Sequence, residues 1–396
     1  MTDALMRNYA RLPVQFVRGS GAWLEDGAGR RYLDALSGIA VCALGHANAE
    51  VGAALADQAA TLIHTSNLYE IPLQADLAAA LCRVARMDRV FFCNSGAEAN
   101  EAALKIARLH AHARSVDTPV VICAQGSFHG RTLGTLAATG NAKVQAGFEP
   151  LMPGFVHVPF GDIAAIAAAG DRQRNAVAVL VEPIQGEGGV QMPPAGYLSE
   201  LRALCDARGW LMMLDEVQTG MCRTGAWFAW QHEDAAPDVM TLAKALGNGV
   251  PIGACLARGT AAGLFVPGKH GSTFGGNLLA CRAALTVLGI MERDDVAARA
   301  AALGARMMAG LRELLEGHNI VREVRGKGCM IGIELAEPCG ELVQRGIESG
   351  ILINVTADRV IRLLPPLTLT DAEADQIVAK VGALVRGFAA GEGPRR

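Results

Sequence analysis

No stretch of this 396-residue chain approaches the roughly 18 uninterrupted apolar residues that a membrane span requires. The N-terminal MTDALMRNYARLP has no apolar core of the length a secretory signal needs, so a soluble, cytoplasmic protein is expected. The ten cysteines, at 42, 82, 93, 123, 205, 222, 255, 281, 329 and 339, form no CxxC pair and no ligand-like group. Zinc sites and disulfide frameworks are therefore not expected, and no metal is; several cysteines sit in apolar runs, as buried thiols in a reducing compartment do. There is no internal repeat, no low-complexity linker and no block of like charge, and a net charge of -3 leaves no basic footprint for nucleic acid. With 51% hydrophobic and 19% charged residues the chain is not a disordered one, and its 46 glycines follow no collagen period.

What is present is enough for more than one core, so a large and a smaller domain are expected. Residues 14–36 alternate in short runs around Asp26-Gly27 and Gly29, the pattern of a small β meander. Helical periodicity follows over 49–63 and 72–84. From residue 282 a single Ala- and Leu-rich helical stretch is expected to run to 316, followed by a small α+β unit ending in an amphipathic helix over 371–385.

The chain is organised around residues 210–246. One apolar run, WLMML, ends on Asp215-Glu216; a second, DVMTLA, ends on Lys244 ahead of a Gly-rich turn. Such runs suit buried parallel strands, whose carboxyl ends border the ligand crevice of an open α/β sheet. Two readings fit an amine and a carboxylate at adjacent strand ends. One is a structural salt bridge, the commoner fate of a lysine. The other is a Schiff-base lysine holding pyridoxal phosphate, with Asp215 keeping the pyridine nitrogen protonated. The second demands a phosphate cradle, a cover for the ring and an anchor for a substrate carboxylate.

Candidates for all three occur. RVFFCNSG runs into a helix whose start is marked by Ser95 and Glu98, a capping box; small Gly96 and Ala97 leave the first N–H groups open to an anion, or this is an ordinary capped helix. After the run PVVICAQG, Phe128 suits stacking on a flat heterocycle and Arg131 suits a carboxylate, although Phe is usually core and Arg usually a solvated charge. His129 is expected to hold the turn rather than act as a base. The glycines of Gln185-Gly186-Glu187-Gly188-Gly189 suggest a close backbone approach to a ligand or partner. Ser272 and Thr273 present hydroxyls to an anion or cap a helix. Arg362, between Ile361 and Leu363, calls for a buried anionic partner.

Taken together, NSGAEANEAALKIAR, SFHGRTLG, VEPIQGEGGV, MLDEVQTGMCRTG, PDVMTLAKAL, HGSTFGGN and RGKGCMIGIEL resemble the class III, or omega-amino acid, pyridoxal-phosphate aminotransferases, in the family's order and across residues 11–385. The resemblance implies an α/β protein of PLP-dependent transferase fold type I. Its large domain, over 46–285, would carry a mainly parallel seven-stranded sheet, and a small α+β domain would combine 1–45 and 286–396. It further implies a homodimer with shared active sites, small-molecule substrates including 2-oxoglutarate, and pyridoxal 5'-phosphate as cofactor.

Carried over by position, Lys244 is the Schiff-base lysine and Asp215 the partner of the pyridine nitrogen, with Glu216 and Val217 beside it among the cofactor-binding residues. Gln218 lies near the ring's phenolic oxygen, Phe128 stacks on the ring, and Ser95, Gly96 and Ala97 hold the phosphate. Thr273 reaches the phosphate of the neighbouring subunit, and Ser272 lies at the substrate site. Arg131 takes a substrate carboxylate. One pocket must then serve a donor whose amine is distal to its carboxylate and glutamate, whose amine adjoins one. Arg131 and Arg362 are expected to divide the carboxylates, with Glu187 covering Arg362 when its charge is not needed. The chain departs from the family pattern at Gly-Asn-Gly (247–249), Leu278, Cys222 and Cys42. None of these removes a group with a chemical role, though Cys42 borders the substrate mouth. A mutase that needs no 2-oxoglutarate and a catalytically silent binding protein stand as alternatives on the same fold.

Overall fold

The structure, a computed structural model, describes residues 4–391; residues 1–3 and 392–396, the outer ends of the expected smaller unit, lie outside it. The N-terminal meander forms as β1 (Phe16–Ser20), β2 (Trp23–Asp26) and β3 (Arg31–Asp34). Its second turn is closed by Asp26, whose Oδ1 accepts from the N–H groups of Ala28 and Arg30, both at 2.9 Å.

Seven strands build the central sheet: β4 (Arg89–Cys93), β5 (Val120–Ala124), β6 (Phe155–Val158), β7 (Ala176–Val181), β8 (Leu211–Asp215), β9 (Val239–Leu242) and β10 (Gly253–Ala257). Their spatial order is β4-β10-β9-β8-β7-β5-β6. Only β10 runs against its neighbours, so the sheet is mainly parallel, as the resemblance implied. β7, β8 and β9 are buried along their whole length, because helices cover both faces, and this is why they read as continuous apolar runs. β10 had no separate reading in the sequence. Gly253 opens it, and a Cβ there would lie 2.3 Å from the Ser95 carbonyl, so only glycine lets this strand pass the start of the helix Gly96–Ala113.

The remaining strands are β11 (Val321–Lys327), β12 (Met330–Leu335), β13 (Ile351–Leu352), β14 (Asn354–Thr356) and β15 (Val360–Leu363). β13 joins the N-terminal meander in parallel with β3, while β11-β12-β15-β14 form an antiparallel sheet, so the two chain ends meet in one region. The single helix expected over 282–316 is two helices, Leu278–Arg293 and Val296–Leu315. The break falls at Asp295, which adopts φ +45° and caps the second helix by accepting from Ala298 N–H. The helices over Ala49–Thr61 and Pro72–Ala85 lie where periodicity placed them.

The ten cysteines are unpaired and all but Cys42 and Cys82 are buried. Among the described residues no helix is long and apolar enough to cross a membrane. Leu62, Ile63, Leu68, Tyr69, Val266 and Phe274 are among the large apolar side chains that are nonetheless exposed.

Asp34, at the end of β3, is 2% exposed and accepts from His46 Nε2 at 2.7 Å. That hydrogen bond, and after it one with Cys42, pushes the imidazole pKa from 6.5 up to about 9. The protonated form is favoured on folding, so its stabilisation is complete below the unfolded value and is lost as pH rises through about 9. His46→Asn is accordingly expected to lower the melting midpoint at pH 6 by more than at pH 10, measured by thermal scans across that range.

Candidate active site

β8 and β9 are adjacent and parallel, and their register pairs Asp215 with Thr241. Asp215 therefore closes one strand at the level where the next is about to end, and Lys244 follows three residues beyond Thr241. Both line a cavity of about 390 Å³ together with Ser95, Gly96, Ala97, Asn100, Phe128, His129, Arg131, Glu182, Glu187, Val217 and Gln218. Lys244 sits at φ +46°, a backbone setting uncommon outside glycine that directs a special site rather than a regular element. Burial disfavours its ammonium form, the Arg362 guanidinium adds to that, and Asp215, Glu187 and Glu182 oppose it; the net direction is a lowered pKa. A lysine that loses its proton more readily is more often in the neutral form that can act as nucleophile or base.

Asp215 is 4% exposed and its carboxylate is held on several sides. Oδ2 accepts from Asn100 Nδ2 and His129 Nδ1, each at 2.8 Å, and Oδ1 accepts from Val217 N–H at 3.0 Å. Asn100 is fixed in turn. Its Oδ1 accepts from Thr241 Oγ1 at 2.7 Å and its second amide hydrogen goes to the His129 carbonyl at 2.8 Å. His129 thus orients the acid as well as the turn, where its own N–H donates to Thr139 Oγ1.

The anion cradle is the start of the helix Gly96–Ala113. Ser95 caps it by accepting from Glu98 N–H at 3.2 Å, while Glu98 reaches back one residue further than a capping box requires, to Asn94 N–H at 2.8 Å. The N–H groups of Gly96 and Ala97 have no intrahelical acceptor. A Cβ on Gly96 would lie 2.9 Å from Val217 Cγ1, so glycine is what brings these donors against the cavity wall. Phe128 is half-buried on the same cavity, with the Arg131 guanidinium 5.6 Å from its ring centroid. An anion cradle, an aromatic face, a pre-oriented carboxylate and a buried amine are together the donor set that a flat, phosphorylated pyridine requires.

Arg362 lies behind the cavity wall with its side chain wholly buried. Its Nη1 donates to Glu187 Oε1 at 2.7 Å and to Gln218 Oε1 at 3.3 Å. Glu187, whose side chain is 34% exposed, lines the cavity in front of it.

Three of the expected site residues do not line this cavity within the single chain. The Glu216 carboxylate turns away from the cavity and accepts from Thr219 Oγ1 and from the N–H groups of Ala229 and Trp230, both at 3.0 Å; alternation along the chain after β8 sends neighbouring side chains to opposite sides. Burial pushes its pKa up to about 7. Ser272 Oγ accepts from Gly275 N–H and Asn94 Nδ2, and the residue borders a second cavity with Asn67 and Tyr69. Thr273 is exposed and caps nothing, since Asn277 begins the following helix. In the 185–189 loop, Gly186 packs against the chain's own Gln218.

Asn100, Thr241 and Glu182 had no role in the sequence reading. Asn100 was detectable in principle: one turn past Gly96 on an Ala-rich helix, it is a polar residue on the face that must be buried, and buried amides need partners. Glu182 accepts from Phe128 N–H and Gly186 N–H, both at 3.1 Å, and so ties two cavity loops together; burial pushes its pKa up to about 7 against these donors. Asn100→Ala strips Asp215 and the His129 carbonyl of a donor and leaves Thr241 without its acceptor. The expected cost is about 1–3 kcal/mol in denaturant unfolding, and Thr241→Val is expected to lose less.

The aminotransferase class-III family profile matches residues 4–385. The chain is 54% identical to the acetylornithine aminotransferase of Nitrosomonas europaea over 97% of this chain and 98% of that protein. It is 50% identical to that of Gloeobacter violaceus over 95% and 94%. Among solved structures, the ornithine aminotransferase of Toxoplasma gondii superposes with a TM-score of 0.95 at 35% identity, covering 98% of this chain and 94% of that one. The acetylornithine aminotransferase of Elizabethkingia anophelis does so with a TM-score of 0.87 at 33% identity, covering 97% and 96%.

Proposed function

The chain belongs to the class-III aminotransferases, and from that premise we propose that it transfers the distal amino group of N2-acetyl-L-ornithine to 2-oxoglutarate, giving N-acetyl-L-glutamate 5-semialdehyde and L-glutamate, a step of arginine biosynthesis. The observation that carries this reading is the unequal presentation of two guanidinium groups at one cavity: Arg131 is exposed on its wall, and Arg362 is sealed behind that wall by Glu187. Full-length similarity to acetylornithine aminotransferases supports the donor.

Class-III aminotransferases use pyridoxal phosphate, and the residues of the cavity suit it. The N–H groups of Gly96 and Ala97 with Ser95 would hold the phosphate, Phe128 and Val217 would flank the ring, and Asp215 would meet its nitrogen. Gln218 would meet the phenolic oxygen, and Lys244 would hold the aldehyde carbon. When bound, the cofactor supplies an electron sink for charge developing on the substrate carbon. Asp215 would pair with the ring nitrogen, since Asn100, His129 and Val217 N–H hold its carboxylate aimed into the cavity. The Lys244 amine takes the proton from the substrate's amine-bearing carbon, which its lowered pKa allows.

Arg131 takes the carboxylate of acetylornithine and the distal carboxylate of glutamate. Arg362 takes the α-carboxylate of glutamate, and for acetylornithine it stays paired with Glu187, since an unpaired buried guanidinium is costly. We further assign 46–285 to a large cofactor-binding domain and 1–45 with 286–396 to a small one. The working unit is a cytoplasmic homodimer in which Thr273 reaches the other subunit's phosphate. The exposure of Thr273 and of the adjoining Phe274 supports that assembly.

A second reading, with ornithine as donor, is favoured by the closeness of the ornithine aminotransferase fold. Titrating the purified protein with acetylornithine, ornithine, succinylornithine, succinyldiaminopimelate, 4-aminobutyrate and glutamate decides between them. Acetylornithine and glutamate are expected to bleach the cofactor's visible absorbance most efficiently, and a higher kcat/KM for ornithine or another donor would displace the assignment. Lys244→Ala is expected to lose both that absorbance and turnover, and retention of turnover would remove Lys244 from the chemistry. Glu187→Gln is expected to change the two half-reactions by different factors; an equal change in both would rule out its role as a cover.

A further inference from the structure

The ion pair of Glu187 and Arg362 is gripped from one face of a three-residue strand. Asn354 and Arg362 are directly opposite each other on the antiparallel β14–β15 ladder, so their side chains share a face. Arg362 Nε donates to Asn354 Oδ1 at 3.2 Å. Thr356, two residues on and therefore on that same face, donates its hydroxyl to the Glu187 backbone carbonyl. Across the other edge of β15 the partner of Arg362 is Gly332, which adds no side chain.

The two members of the pair differ in freedom. Arg362 is wholly buried and Glu187 is a third exposed, so the acid is the partner able to leave. Without its carboxylate, the guanidinium retains the amide oxygens of Asn354 and Gln218, and among the described residues no other carboxylate is hydrogen-bonded to it. Its Nη2 is buried and has no partner even while Glu187 is in place. Nη1 and Nη2 then form a free fork for one incoming carboxylate, and the fork keeps its aim only if Nε stays anchored. An amide suits that anchor better than an acid would. It accepts the Nε hydrogen without cancelling the charge that the substrate must meet.

Resting on the functional reading above, we propose that Asn354 is a positioning residue for α-amino dicarboxylates, holding Arg362 in place between departure of Glu187 and arrival of the substrate. Thr356 pins the backbone of Glu187, so that opening is confined to its side chain. Both act through their neighbours and neither touches the reacting atoms.

The test compares the cofactor-loaded wild type with Asn354→Ala and Asn354→Asp in two ways. One is calorimetric binding of glutarate, a dicarboxylate that cannot react; the other is the ratio of the glutamate to the acetylornithine half-reaction, each followed separately by absorbance. Asn354→Ala is expected to weaken glutarate and to lower that ratio by about 10- to 100-fold, the scale of a lost hydrogen bond to a charged group. Asn354→Asp holds the guanidinium but neutralises it, and is expected to weaken glutarate at least as much. Thr356→Val is expected to narrow the difference between the two donors, with Thr356→Ser restoring it. An unchanged ratio with unchanged glutarate affinity in Asn354→Ala overturns the positioning role, as does an equal fall of both half-reactions. A wild-type protein with no glutamate half-reaction would instead overturn the functional reading on which this one rests.

Discussion

The buried carboxylate of Asp215 is the constraint around which the site is built. A carboxyl group at 4% exposure needs donors in place of the lost water, and three elements contribute them here. Asn100 comes from the helix of the anion cradle, His129 from the loop after β5, and Val217 N–H from the turn after β8 itself. Satisfying one acid therefore locks the cradle, the aromatic wall and the strand end into a single arrangement. Thr241 extends the lock to β9 through Asn100, and Lys244 lies two residues past the end of that strand.

Around this fixed centre, charge is deliberately unequal in its freedom. Arg362 is immobilised within the β11-β12-β15-β14 sheet, whereas Glu187 sits on a loop and is partly in solvent. Arg131 stands open, leaning on Phe128. Glu182, which burial brings to a pKa of about 7, tethers the Phe128 and Gly186 loops by backbone donors, so the two walls of the cavity share one carboxyl group. Rigid cations and a movable acid together let one cavity present either one or two carboxylate-binding groups.

The local signals in the chain were dependable where short-range chemistry decides. Ser95 caps the helix it was expected to cap, the Asp26 turn closes the meander, and the apolar runs before Asp215 and Lys244 are strands. The failures share a cause. Residues 282–316 keep their apolar periodicity through Asp294–Asp295, so periodicity could not reveal that Asp295 restarts the helix. Glu216 adjoins Asp215 in the chain and points the other way, toward the N–H groups of Ala229 and Trp230, neither of which is close enough in sequence to advertise the contact. β10 carries the small residues GACLA and runs against its neighbours, a direction that no single segment encodes.

The amino-acid sequence alone determined which groups are available and in what order they follow strands and caps, because those depend on residues within a turn or two of one another. It also carried, in the combination of its motifs, the family to which the chain belongs. Only the tertiary structure decided that Asn100 and Thr241 serve Asp215, and that Asn354 and Thr356 grip the two halves of one ion pair. Those contacts join segments more than a hundred residues apart in all but the Asn354 case. Their existence depends on strand order and register, which arise when the whole sheet assembles and not before.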